Sequence, residues 1–329
     1  MTRPFLTVLT VPAASTTQWL YQRVRSAVRP VVKPGVPLPA SSRYPGHYAV
    51  VRSVVEGLNA IGADFTFNPP RISDIGRVVY APANEALRQA AELKRRGAID
   101  FLAAGPVNAL FPDEAGGVLR MPEIDLLIVP SDWVLEFYAD APDLRAKAHV
   151  CPCGVDAAFW TPTAAKEDVA LVYWKSGSEA FCEEVEAVVA RAGLRVERLR
   201  SRPGETHHFD AADYRRRLNR ARLAVFISAF ETQGVALAEA WSMNVPTLVW
   251  DPQADTEWSG QRFRARSSAP YLTPSTGIAW RTLDDLSHAL DRMGELNGTF
   301  SPRDWVLANM TDAVCAGRLY RILRTATDS

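Results

Sequence analysis

Apolar positions along the 329 residues follow two alternating rhythms. Short runs rich in Val, Ile, Leu and aromatic residues have the length of buried strands, and between them apolar residues recur every three or four positions, as on one face of a helix. Strand, helix, strand in steady succession predicts parallel sheets joined by crossover helices, an α/β fold. In the first half, strands are expected at 5–11, 64–68, 78–81, 99–104 and 124–130, with helices at 48–61, at 84–96 and, capped by Ser131, through 139. In the second half, strands are expected at 169–174, 194–199, 223–227, 246–250 and 277–280, with helices at 179–192, 211–221 and 283–293 and one or two more over 302–325.

A chain of this length exceeds one ordinary core and fits two domains of about 150 residues. The first is expected to end near Cys153 and the second to run over 154–301, leaving 302–329 as a terminal helical segment. No apolar run approaches the roughly 20 residues that span a bilayer. Met1 to Ala13 lacks the charged start and long apolar stretch of a signal peptide, so a cytoplasmic location is expected. Cys151 and Cys153 alternate along an expected strand, Cys182 and Cys315 fall on expected helices, and no spacing completes a tetrahedral metal site; all four are read as buried small apolar residues.

The net charge is zero, yet residues 1–55 hold seven basic side chains and no acid. Trp19, Leu20, Val24 and Val28 fall at roughly helical spacing among those arginines, ahead of a Pro-rich stretch over 30–45. Two readings stand: a helix with its apolar face on the first domain, or a basic amphipathic helix touching the inner face of an anionic membrane. Nucleic-acid binding finds no reading motif. His207 and His208, in a polar loop, read as surface residues.

Candidate chemistry concentrates in 226–250, Phe-Ile-Ser-Ala-Phe-Glu-Thr-Gln-Gly-Val-Ala-Leu-Ala-Glu-Ala-Trp-Ser-Met-Asn-Val-Pro-Thr-Leu-Val-Trp. An apolar strand stops at Ser228, a loop carries Glu231, Thr232, Gln233 and Gly234, and a helix starting at Val235 offers unpaired NH groups to an anion. Glu239 follows among Ala238, Ala240 and Trp241, a neighbourhood where an unpartnered charge is rare. Asn244 suits a left-handed turn before the next strand. Carboxylates accept from hydroxyls, whereas NH groups and cations take phosphates, so the segment offers both halves of a sugar-nucleotide site. Lys175 directly follows the strand expected at 169–174; with Ser176 and Gly177 behind it, an ammonium and loop NH groups can meet a diphosphate.

This segment resembles the Glu-x7-Glu signature of the GT-B retaining glycosyltransferases, in Glu231 and Glu239. Upstream, Ile128-Val129-Pro130-Ser131-Asp132-Trp133, then Val150-Cys151-Pro152-Cys153-Gly154-Val155-Asp156 and Phe159-Trp160-Thr161-Pro162 are similar to the family's last N-domain strand and its Gly-Val-Asp hinge. The resemblance implies two Rossmann-like domains facing across a cleft: 1–153 on the acceptor side, 154–301 binding the nucleotide sugar, and 302–329 crossing back to the first. It implies transfer of a sugar from a nucleotide-diphosphate donor to a saccharide, a lipid-linked or another small acceptor, as in cell-envelope polysaccharide assembly, with retention, without metal and without a cofactor. No Asp-x-Asp pair is present, in keeping with a metal-independent class. Glu231 would sit by the donor sugar, Glu239 by the ribose, Lys175 by the diphosphate, and Thr232, Gln233, Gly234, Val235, Ser176 and Gly177 would complete the donor site. On the acceptor side Gly46 stands where the family has a glycine loop, with His47 next to it, and Asn108 stands in a region where the family often has a histidine. The missing histidine and the lone Lys175, where the family often has two cations, keep other readings open: a non-catalytic sugar-nucleotide-binding GT-B protein, or a GT-B epimerase or inverting transferase using His47 as base. The stretch Arg200 to Gly204 is a candidate nucleobase loop.

Overall fold

The computed structural model describes residues 4–15, 17, 18, 20, 48–200, 210–295 and 298–328. The chain forms two compact units, one of residues 1–153 with 315–329 and one of 154–314.

The first unit is built on six parallel strands: β1 (Leu6–Val8), β2 (Phe65–Phe67), β3 (Val78–Ala81), β4 (Phe101–Ala104), β5 (Leu126–Val129) and β6 (Ala148–Val150), in the order β2-β1-β3-β4-β5-β6. Helix α1 (Tyr48–Ala60) buries Val51, Val54, Val55 and Leu58, and α2 (Asn84–Arg95) buries Ala86, Leu87, Ala90 and Ala91. Ser131 is followed by three-ten turns over Asp132–Tyr138 rather than by an α-helix, and its side chain does not cap them. A five-residue helix, α3 (Pro142–Ala146), leads into β6. The strand expected to carry Cys151 and Cys153 ends at Val150, and both thiols lie in the irregular segment after it. None of the four cysteines is in a disulfide, and all are buried.

The second unit has five parallel strands: β7 (Glu167–Trp174), β8 (Arg195–Arg200), β9 (Ala221–Ile227), β10 (Thr247–Trp250) and, after an antiparallel hairpin of β11 (Asp255–Trp258) and β12 (Gln261–Arg264), β13 (Gly277–Trp280). Their order is β13-β10-β9-β7-β8. Period two decides which face each side chain serves. Ala170, Val172, Trp174, Leu223, Val225 and Ile227 pack under α4 (Glu179–Arg191) and α7 (Leu283–Glu295). Leu171, Tyr173, Ala224 and Phe226 pack under α5 (Ala211–Arg220), α6 (Val235–Ser242) and α8 (Pro302–Asn309). Such two-sided burial explains why these strands read as continuous apolar runs.

The chain passes between units twice, at 153/154 and 314/315. Around these points Val155 and Thr311 form an isolated parallel bridge, with Val155 N donating to Met310 O and Asp312 N to Val155 O. Gly154 permits this approach, since a Cβ there would stand 2.5 Å from the Thr311 and Asp312 backbones. The last helix, α9 (Asp312–Asp328), then adds Ala316, Leu319 and Leu323 to the first unit's core beside Leu6, Val54 and Ile128. Among the described residues no helix is long and apolar enough to cross a membrane.

Candidate functional site

In the second sheet β7 lies between β8 and β9, so the chain first winds outward to β8 and then returns past β7 to β9 and β10. Winding reverses between β7 and β9, and open α/β sheets bind ligands outside the carboxyl ends of their strands at such a reversal. Two loops leave there. Strand register pairs Trp174 with Ile227, and the backbone NH groups of both Lys175 and Ser176 donate to Ile227 O at 2.9 and 3.1 Å. The loop after β7 is thereby laid against the loop after β9.

Side chains tighten the junction. Lys175 Nζ lies 2.6 Å from Glu231 Oε1 and donates a hydrogen bond to it. Ser228 Oγ donates to the same carboxylate oxygen at 2.9 Å, and the Ser176 hydroxyl accepts from Ala229 N at 2.6 Å. Glu231 N donates to Ser267 O at 3.1 Å, and buried Ser268 donates through Oγ to Ser228 O at 2.8 Å. Ser268 N in turn donates to Asp251 Oδ1 at 2.8 Å, directly after β10. Three strand ends therefore share one network. The Lys175 side chain keeps 32% of its exposure and that of Glu231 18%, so the pair is shielded but open to a ligand. Burial by itself would lower the Lys175 ammonium, but the charge and hydrogen bond of Glu231, with Tyr173 nearby, outweigh it and hold the group above its ordinary value.

Beyond Glu231 the chain turns through Thr232 and the buried Gln233 into Gly234, which sits before α6 at φ 80°, ψ 57°. This left-handed conformation is costly for other L-residues, and a Cβ there would meet Leu237 Cδ1 at 2.8 Å. Gly234, at the N-cap of α6, has no side chain of its own to cap the helix, and the positive end of the helix dipole, from Val235 onward, faces this loop. Leu237, Ala238, Ala240 and Trp241 point into the core, and Glu239 stands half-buried on the remaining face. The Tyr214 phenol donates to Ala236 O at 2.8 Å. Burial, with Tyr173 and the charge of Glu239 nearby, pushes that phenol well above its ordinary value.

No protein-family model matches the sequence, and no curated protein sequence matches it. Solved structures do. One is the lipopolysaccharide outer core galactosyltransferase WaaB in its apo form, at TM-score 0.56 and 10% identity over 97% of this chain and 98% of that one. Another is HepE of Anabaena in complex with UDP-glucose, at TM-score 0.52 and 11% identity over 97% and 99%. A third is the sucrose-phosphate synthase of Thermosynechococcus elongatus, at TM-score 0.50 and 13% identity over 99% and 100%. The chain has the GT-B fold. At these identities the likeness is one of fold, and the chemistry has to be argued from this chain's own residues.

On that GT-B frame the donor-side candidates Lys175, Ser176, Gly177, Glu231, Thr232, Gln233, Gly234 and Val235 fall on the two adjoining loops and the start of α6. Glu239 is one to two turns further along the same helix. Asn108 is exposed in the loop after β4 of the first unit. Gly46 and His47 lie outside the described residues, as do His207, His208, residues 201–204 of the candidate nucleobase loop, Trp19 and most of the basic segment. Arg200, at the start of that loop, stacks its guanidinium over Trp174 at 5.0 Å. Sequence reasoning missed Ser228, Asp251, Ser267 and Ser268. Asp251 follows a strand end as Lys175 does, and the same rule applied evenly would have found it. Ser228 follows the end of β9 and falls under the same rule, whereas Ser267 and Ser268 carry no such signal, because their role rests on contacts with distant loops.

Proposed function

We propose that the protein is a glycosyltransferase that moves a sugar from a nucleotide-diphosphate donor to an acceptor. The observation that carries this reading is the Lys175–Glu231 pair, set where the winding of a parallel sheet reverses and beside the start of α6. Without a ligand the two charges satisfy each other. A sugar nucleotide replaces one partner with two: diphosphate oxygens take the ammonium and the α6 NH groups, and sugar hydroxyls donate to the carboxylate. Glu239 suits the ribose hydroxyls as a second acceptor on the same helix.

Catalysis in this reading is electrostatic. Negative charge grows on the leaving diphosphate as the bond to the anomeric carbon breaks, and Lys175 with the NH groups around Gly234 stabilises it most when it is greatest. The positive charge at the diphosphate is assigned to Lys175 and not to a metal ion, and the sugar is transferred with retention. Support for this finer reading is the Glu231-x7-Glu239 spacing in this chain, set in a fold that WaaB and HepE also have. The acceptor is a saccharide or a lipid-linked sugar, and Gly46, His47 and Asn108 of the first unit are proposed to meet it.

The experiment incubates the protein with UDP-, GDP-, ADP- and dTDP-sugars and an acceptor panel, with and without EDTA. Nucleotide release with an α-configured product from an α-donor, insensitive to EDTA, is expected. Inverted product would remove retention, and loss of turnover with EDTA would remove the metal-free assignment.

A further inference from the structure

The β11–β12 hairpin is a two-stranded sheet of its own, inserted between β10 and β13 of the second unit, and its two faces differ. Register pairs Asp255 with Arg264, Thr256 with Phe263, Glu257 with Arg262 and Trp258 with Gln261. Alternation along each strand puts Asp255, Glu257, Arg262 and Arg264 on one face, where opposite charges confront each other, as in the Asp255–Arg264 pair at 3.6 Å. Thr256, Trp258, Gln261 and Phe263 form the other face. That aromatic face is turned to Phe230, the residue next to Glu231: the Phe230 ring meets Phe263 edge-on at 5.2 Å and Trp258 edge-on at 6.1 Å. Trp258 nonetheless stays 44% exposed. Beyond the hairpin Ala265 N donates to Ala254 O, and the next residues, Ser267 and Ser268, bond to the Glu231 loop, so the hairpin is fastened to the candidate site.

We propose that Trp258, backed by Phe230 and Phe263, is a platform for one pyranose ring of a saccharide acceptor; this rests on the glycosyltransferase reading and names its acceptor class. An indole takes the apolar CH face of a sugar ring, while the ring's hydroxyls find polar neighbours in Thr256, Ser259 and Gln261 along the hairpin edge. Trp258 is the exposed ring of the three, Phe230 and Phe263 being half-buried, and polar Thr256, Ser259 and Gln261 adjoin it along the hairpin, a surface that suits one sugar ring rather than an acyl chain. Position separates acceptor from donor. The donor's sugar belongs at Glu231, and Trp258 touches the ring of Phe230, the residue next to Glu231, so a sugar ring on the indole lies alongside the donor's loop, where an acceptor has to be held.

The test follows indole 15N–1H signals of the full chain, with the Trp258 signal assigned by its loss in Trp258→Phe. Probes are methyl α-glucoside, methyl α-galactoside, methyl α-mannoside and maltotriose, UDP-, GDP-, ADP- and dTDP-glucose, and vesicles of phosphatidylcholine with phosphatidylglycerol. The expected result is a saturable Trp258 shift with at least one saccharide, weakened about tenfold or more in Trp258→Ala and less than about threefold in Trp258→Phe, with nucleotide-sugar binding in Trp258→Ala within twofold of wild type. No Trp258 response to any saccharide overturns the platform, as does a Trp258→Ala variant that binds saccharide like wild type. A Trp258 shift seen only with vesicles, or only on raising protein concentration, overturns it in favour of a membrane or a second copy. Failure of all four nucleotide sugars to bind, with the saccharide shift intact, would instead remove the glycosyltransferase reading and leave the platform standing.

Discussion

Lys175 Nζ and Glu231 Oε1 stand 2.6 Å apart, each on the loop that leaves one of two neighbouring parallel strands. Both side chains retain part of their exposure, and ion pairs of this kind contribute roughly 0–1 kcal/mol to folding. Function is a different matter. Lys175→Met and Glu231→Gln are expected to shift the melting temperature by no more than about 3 °C. Glu231→Gln is expected to lose about a hundredfold or more in turnover while still binding free nucleoside diphosphate; Lys175→Met is expected to lose about tenfold or more in diphosphate affinity. Calorimetric melting with titration of UDP, GDP, ADP and dTDP separates the two effects. A large fall in stability with unchanged ligand affinity would make the pair a structural staple.

Gly234 tests the loop that turns into α6. Its φ of 80° penalises any Cβ, and the new methyl would press on Leu237 Cδ1. Gly234→Ala is expected to cost about 1–2 kcal/mol. Donor affinity is expected to fall further than this, because the NH groups at the helix start turn with the backbone. Gly234→Asn, which tolerates the left-handed region better, is expected to recover part of both losses. Parallel thermal melts and nucleotide titrations of the two variants check the ranking.

At the crossing points the steric demand is harder. Gly154→Ala places a methyl within 2.5 Å of the Thr311 and Asp312 backbones, which have no side-chain end to move aside. Loss of the Val155–Thr311 bridge, with a cost of about 3 kcal/mol or more, is expected. Circular-dichroism melts would show it, and a variant as stable as wild type would contradict the close approach.

Lys166 gives a pH signature. Its ammonium donates to Leu218 O and Met243 O at 2.8 and 3.0 Å, and burial lowers it from 10.5 to about 8. Between those values the unfolded chain still holds a proton that the folded chain has released, so unfolding takes up a proton and stability rises with pH across that window. The gap sets an upper bound of roughly 3 kcal/mol. Two thiols act in the opposite sense: burial pushes Cys151 and Cys182 from 9.0 up to about 11. The difference between wild type and Lys166→Met isolates the lysine: the stability advantage of wild type is expected to grow from pH 8 to 10.5. A flat difference would mean that the lysine stays charged in the fold.

Much of the architecture was legible because buried parallel strands and amphipathic helices write strong periodic signals. The strand at Val78–Ala81 and the one at Gly277–Trp280 coincide with the expected ranges, and the left-handed turn at Asn244 is present, at φ 54°. Weak signals belonged to elements that no core demands. The three residues of β6 form an edge, and the β11–β12 hairpin has a charged outer face that hid its period-two alternation. Its clue was the Ser259–Gly260 dipeptide, whose two positive φ values of 50° and 75° are those of a tight hairpin turn. At the site, Lys175 and Glu231 were legible singly, from their places after strand ends. Their direct pairing was not, because it depends on β9 returning beside β7 rather than beside β8, which local sequence does not encode.

The most direct measurement is a thermal-shift comparison of wild type and Lys175→Met with UDP-, GDP-, ADP- and dTDP-glucose. A ligand that binds only the folded state at about a hundred times its Kd adds about 2.7 kcal/mol of stability. One of the four is expected to raise the wild-type melting temperature by several degrees, with most of that rise lost in Lys175→Met. No rise with any of them at millimolar concentration, or an equal rise in the variant, would contradict a sugar-nucleotide site at Lys175 and Glu231.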